Sequence, residues 1–117
     1  NMAKGGWIGV DLDGTLAYYD HWRGADHIGE PIMPMLERVK SWLADGKHVK
    51  IFTARMTEPY RDGIDVRHRI QDGCEKHGLP RLEVTNVKDY WMVEVWDDRA
   101  VQVIPNTGQP VRSDDVR

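Results

Sequence analysis

The chain has 117 residues, 40% of them hydrophobic and 30% charged, with a formal net charge of −3. Single cores occupy about 100 to 200 residues, so a two-domain split is excluded and residues 1–117 are expected to form one domain. The acidic balance without clustered Lys and Arg argues against a generic nucleic-acid-binding surface, a single cysteine, Cys74, excludes an internal disulfide, and no apolar run approaches the roughly 18 residues that a bilayer requires.

With no signal-peptide pattern either, a reducing cytoplasm is the expected location. Asn1, ahead of Met2, reads as extraneous to the protein. The apolar run Trp7-Ile8-Gly9-Val10 stops abruptly at Asp11, which predicts a buried strand delivering a polar residue at its C-terminal end. Across residues 14–34 glycines and prolines break any periodicity and predict a loop longer than most connections in compact domains. Met35, Leu36, Val39, Trp42 and Leu43 then recur at helical spacing, and Asp45-Gly46 stops the pattern, giving a first helix. Residues 48–53 read as a second strand closing on Thr53-Ala54-Arg55, and the strand-helix-strand order implies a parallel crossover. Ile64, Val66, Ile70 and Cys74 share one face of a second helix that Gly78-Leu79-Pro80 terminates, with Cys74 in the core. Residues 82–85, 92–96 and 101–104 are predicted as third, fourth and fifth strands, and residues 105–117 as a polar tail. The expected fold is α/β: a single domain in three layers, with a mostly parallel central sheet flanked by helices.

Asp11, Thr53 and Asp97 each stand at the end of a predicted strand. In an open parallel sheet those ends share one edge, where ligands bind. Two carboxylates at i and i+2, Asp11 and Asp13, are expensive to hold close without a cation. Mg²⁺ takes six oxygens at about 2.0 to 2.1 Å, several of them from water, and suits such a set. The Asp97-Asp98 pair supplies further carboxylates, so the candidate metal residues are Asp11, Asp13, Asp97 and Asp98. With charge neutralised by the cation, Asp11 can attack phosphorus as a covalent nucleophile. Asp13 can protonate the leaving oxygen and later deprotonate the hydrolytic water. Thr53 can donate a hydrogen bond to a phosphoryl oxygen, and Lys88 can neutralise charge in the transition state. Gly14, Ala54 and Arg55 are candidate substrate contacts. His21 and His27, on the long loop, read as solvated, and Tyr18, Tyr19 and Trp22 beside them as either a rudimentary lid or loop packing. Arg55 and Arg99 read equally as surface arginines or as phosphate contacts.

The run Asp11-Leu12-Asp13-Gly14-Thr15-Leu16-Ala17 resembles the first signature motif of the haloacid dehalogenase superfamily, and Thr53, Lys88 and Asp97-Asp98 resemble its second, third and fourth motifs in order and spacing. The likeness spans roughly residues 7 to 104. It implies a parallel Rossmann-like sheet, a magnesium cofactor and, given Asp13, phosphatase rather than dehalogenase chemistry. Lys88 departs from the family pattern, since only Asp89 to Trp91 separate it from the next strand, so a loop position is expected for it. Neither gap is long enough for an inserted cap, so the chain resembles the capless subgroup. The resemblance associates open sites with large substrates, including phosphorylated nucleic-acid ends, or with an oligomer or partner that supplies the lid. Thr53-Ala54-Arg55 and Asp97-Asp98-Arg99 also resemble the phosphatase half of polynucleotide kinase-phosphatases. The expected function is a Mg²⁺-dependent phosphomonoester hydrolase. The alternatives are a nucleic-acid 3′-end phosphatase or nucleotidase, and, in a different class, a non-catalytic metal- and phosphate-binding regulatory module.

Overall fold

The computed structural model describes residues 5–111. Trp7–Val10 forms strand β1, buried along its whole length, as an uninterrupted apolar run requires of a central parallel strand. Helix α1 spans Met33–Ala44. Pro34 lies in its first turn, where a missing N–H breaks no helical bond, and Gly46 at φ 81° follows its end. Strand β2, His48–Phe52, runs into one turn of 3-10 helix, Ala54–Thr57, in which the Thr53 side chain caps the Arg55 N–H. A short antiparallel pair follows, β3 (Tyr60–Arg61) and β4 (Ile64–Asp65), joined by Asp62 and Gly63 at φ 53° and 78°. Two consecutive positive φ angles make the tight turn whose twist suits a hairpin. Helix α2, Val66–Lys76, starts where the Asp65 carboxylate accepts the His68 N–H at 3.0 Å. Strands β5 (Val84–Thr85) and β6 (Met92–Trp96) complete the order.

The protein is α/β, with a four-stranded sheet in the order β5-β2-β1-β6 and every pair parallel. Ile8 and Val10 of β1, Val49 and Ile51 of β2 and Val84 of β5 share one buried cluster with side chains of both α1 and α2. Alternation along a strand puts these residues on one face, so both helices pack on that face and the described residues form two layers, not the expected three. The opposite face is covered by its own side chains. Lys50 Nζ stands 4.5 Å from the Trp7 ring centroid, and Trp7 Nε1 donates to Asp89 at 2.8 Å. Gly9 lies on that face with Trp7, and a Cβ there would come 2.6 Å from Met92 Cε.

One irregularity sets the register of β6. Trp7 faces Met92 but Ile8 faces Glu94, so Val93 is an extra residue and Val10 aligns with Trp96.

Other sequence expectations change as well. The fifth strand at 101–104 does not form: Val101, Val103 and Ile104 are exposed, with no core for an alternating pattern to face. That segment folds back on residues 109–111 through bonds from Ile104 N–H to Gln109 O and Val111 N–H to Gln102 O. The expected polar tail thus takes part in a turn as far as residue 111; its remainder, 112–117, and Asn1 lie outside the described residues. The third strand is reduced to β5. The β3-β4 hairpin was unexpected. Among the described residues, no helix is long and apolar enough to cross a membrane.

Candidate active site

All four strands of the sheet stop at one edge. Asp11 follows β1, Thr53 follows β2, Asn86 follows β5 and Asp97 follows β6, and all four line a cleft of about 540 Å³. That volume suits a whole small molecule or the end of a larger one. The Asp11 N–H donates to Trp96 O at 2.9 Å, which fastens the end of β1 to the end of β6 and brings Asp97-Asp98 alongside.

Asp11, Asp97 and Asp98 each place a carboxylate oxygen within 4.8 Å of the other two. Thr15 holds this group together. Its Oγ accepts the Asp98 N–H at 3.0 Å and shares its single proton between Asp98 Oδ1 at 3.1 Å and Asp11 Oδ2 at 3.4 Å. Gly14, at φ 91°, lets the chain turn under Asp98, since a Cβ at this position would lie 2.7 Å from Asp98 Oδ2. Burial, a hydrogen bond with the Asp98 carboxyl and the charges of Asp97 and Asp98 together raise the Asp11 pKa from 3.8 to about 7. Three hard oxygen donors, costly to hold together as bare charges, are the donor set of a small divalent cation. The three carboxylates could hold a metal ion, with nothing in the set particular to one metal.

Asp13 also lines the cleft, but its carboxylate is not part of that cluster. Arg55 engages both its oxygens, Nε to Oδ2 at 2.8 Å and Nη2 to Oδ1 at 2.9 Å. The Arg55 side chain, only 6% exposed, also donates to His27 O at 2.9 Å and lies 4.9 Å from the Trp22 ring centroid. It therefore pins the loop over the site to the cleft wall. Thr53 is buried, and its Oγ accepts the Arg55 N–H at 3.1 Å, which leaves its own proton to donate. Ala54 lines the rim.

Lys88 is exposed and does not line the cleft. Strand β5 ends at Thr85, whose Oγ accepts the Val87 N–H at 3.0 Å, and Lys88 follows in the link to β6, ahead of the turn at Tyr90 and Trp91. Arg99 does line the cleft, and its backbone N–H donates to Asp97 Oδ1 at 2.8 Å. Sequence reasoning had not singled out Asn86, Glu58 or Arg61, which also line it. The strand-end rule that marked Asp11 points equally to Asn86, an uncharged residue. Tyr19 and Trp22 line the mouth. His21 and His27 are exposed beside a smaller hollow of about 210 Å³, and Cys74 is buried in the core, as expected.

Compared with protein-family models, curated proteins and solved structures, the chain matches none.

Proposed function

We propose that the protein is a magnesium-dependent phosphomonoester hydrolase of the haloacid dehalogenase type, lacking a separate cap, with Asp11 as nucleophile. The observation that supports this best is the meeting of the Asp11, Asp97 and Asp98 carboxylates at the C-terminal edge of a parallel sheet, in one cleft with Thr53. Asp11, Asp97 and Asp98 would hold Mg²⁺, which when bound offsets the negative charge that opposes a carboxylate and a phosphate dianion meeting.

One Asp11 oxygen attacks phosphorus, and the new P–O bond forms as the bond to the leaving oxygen breaks. Asp13, which opens one of its two Arg55 contacts to take up a proton as substrate enters, gives that proton to the leaving oxygen. In the second step Asp13 takes a proton from water, the water oxygen bonds to phosphorus, and the Asp11–phosphorus bond breaks. Inorganic phosphate is released, and both carboxyls return to their starting states. Arg55 fixes where Asp13 stands, and Thr53 Oγ donates to a phosphoryl oxygen.

The test is phosphate release from p-nitrophenyl phosphate by wild type and Asp11→Asn, with Mg²⁺ and with EDTA. Metal-dependent turnover that disappears in the variant is expected. Activity that survives Asp11→Asn removes the nucleophile assignment. A second reading, a nucleotidase or nucleic-acid 3′-end phosphatase, is favoured by the half-exposed Tyr19 at the mouth, where a base could stack. It requires a 3′-phosphorylated oligonucleotide or a nucleotide to be processed better than a sugar phosphate.

A further inference from the structure

We infer that Arg99, in place of Lys88, is the side chain that grips the transferring phosphoryl group; this rests on the phosphohydrolase reading. A phosphoryl group in transfer spreads charge over its equatorial oxygens, and stabilising it takes fixed positive charge besides the metal. The cleft is lined by three arginines, Arg55, Arg61 and Arg99, and by no lysine. Two of the three are already engaged. Arg55 is bound in both forks to Asp13, and Arg61 pairs with Glu58 at 3.1 Å and lies over Trp22 at 4.9 Å.

The same holds away from the cleft. Arg23 and Arg81 pair with carboxylates, Arg67 and Arg69 donate to main-chain carbonyls, and Arg38 lies over Trp96. Among the described residues, Arg99 is the one arginine whose guanidinium has no hydrogen bond, ion pair or aromatic partner, although it directly follows two aspartates. Those aspartates are directed elsewhere. Asp97 Oδ1 accepts the Arg99 backbone N–H, and Asp98 is held by Thr15, so both carboxylates converge on Asp11 while the side chain of residue 99 is left at the cleft.

A guanidinium presents five N–H donors in a planar fork that matches two phosphate oxygens at once, and it keeps its charge throughout the reaction, so no proton has to be supplied or removed. Arg99 therefore offers the cleft a cation that no carboxylate among the described residues has already taken. Lys88 is exposed and does not line the cleft.

The experiment compares Arg99→Ala, Arg99→Lys and Lys88→Ala by kcat/KM on p-nitrophenyl phosphate with Mg²⁺. It also measures calorimetric binding of inorganic phosphate to each change placed in the Asp11→Asn background with Mg²⁺. Removing one such donor typically costs about 100-fold or more in rate. Arg99→Ala is expected to lose about that much and to weaken phosphate binding at least tenfold, with an unchanged urea midpoint and an unchanged Mg²⁺ requirement. Arg99→Lys should recover part of both, and Lys88→Ala should lose far less. If Arg99→Ala stays within twofold of wild type, or Lys88→Ala is the more damaging, the inference is overturned. A wild type that turns nothing over defeats the hydrolase reading alone; phosphate binding that depends on Arg99 still upholds the assignment, and binding indifferent to Arg99 overturns it.

Discussion

Replacing Asp11 by Asn is expected to stabilise the metal-free protein at pH 8 while abolishing turnover, because the wild-type fold strains against an ionised Asp11. The Asp11 pKa rises from 3.8 to about 7 on folding, through burial first and then through Asp98 and Asp97. Between those pH values the folded protein holds a proton that the unfolded chain has released. Stability contributed by this group is thus fully present below pH 3.8 and is lost as pH rises toward about 7. At 1.36 kcal/mol per pH unit the full difference is about 4 kcal/mol. Asp11 keeps partial contact with water and shares the repulsion with two neighbours, so about 1 to 2 kcal/mol is the expected effect. Asparagine keeps the size and removes the charge. The gain over wild type should be near zero at pH 4 and level off above pH 7, read from urea unfolding in EDTA at both ends. An equal gain at pH 4 and 8, or a loss at pH 8, refutes the electrostatic account of the cluster.

Mg²⁺ should stabilise the folded protein, since binding to the folded state alone adds about 2.7 kcal/mol at a hundred times the dissociation constant; wild type should gain this and Asp98→Ala should not, measured by thermal melts with and without the metal. Gly14→Ala sets a Cβ 2.7 Å from Asp98 Oδ2 at φ 91°; it should cost about 1 to 2 kcal/mol in stability and weaken Mg²⁺ affinity in a calorimetric titration. Arg55→Ala leaves Asp13 without its partner and frees the loop carbonyls, at about 3 kcal/mol, with faster amide exchange at residues 25–27; Arg55→Lys should restore only part, lacking the second fork. Each fails if unfolding or exchange matches wild type.

The residues that end strands were legible because a buried apolar run that stops at a polar group marks both the strand and its exit, as Trp7-Ile8-Gly9-Val10 does at Asp11. Thr53 and Asp97 were found in the same way. The Asp13–Arg55 pair was not, since it joins residues 42 apart through a contact that exists only once the loop has folded over the 3-10 turn. The hairpin at Tyr60–Asp65 carried its signal in Asp62-Gly63, but two-residue strands have no alternation to read. The second face of the sheet misled for a different reason. Trp7 is as apolar as Ile8, so β1 gave no sign that one side would be covered by a helix and the other by the stem of Lys50. The alternating residues 101–104 look like a strand, and only the absence of a surface to pack on tells otherwise.

The extra residue in β6 has a consequence for how this site can vary. Because Val93 has no counterpart in β1, Trp96 rather than Val95 stands level with Val10, and Asp97 emerges level with Asp11. An equal-length β6 without the bulge would put Trp96 opposite Asp11 and carry both aspartates one step further out, about 3.3 Å along the strand, with their faces exchanged. The identity of the outward residues 93–95 is thereby free to drift, whereas their number is not. Lineages descended from such a chain would be expected to accept point changes on this edge and to reject single-residue insertions or deletions there, a constraint written in chain length and invisible to any residue-by-residue comparison.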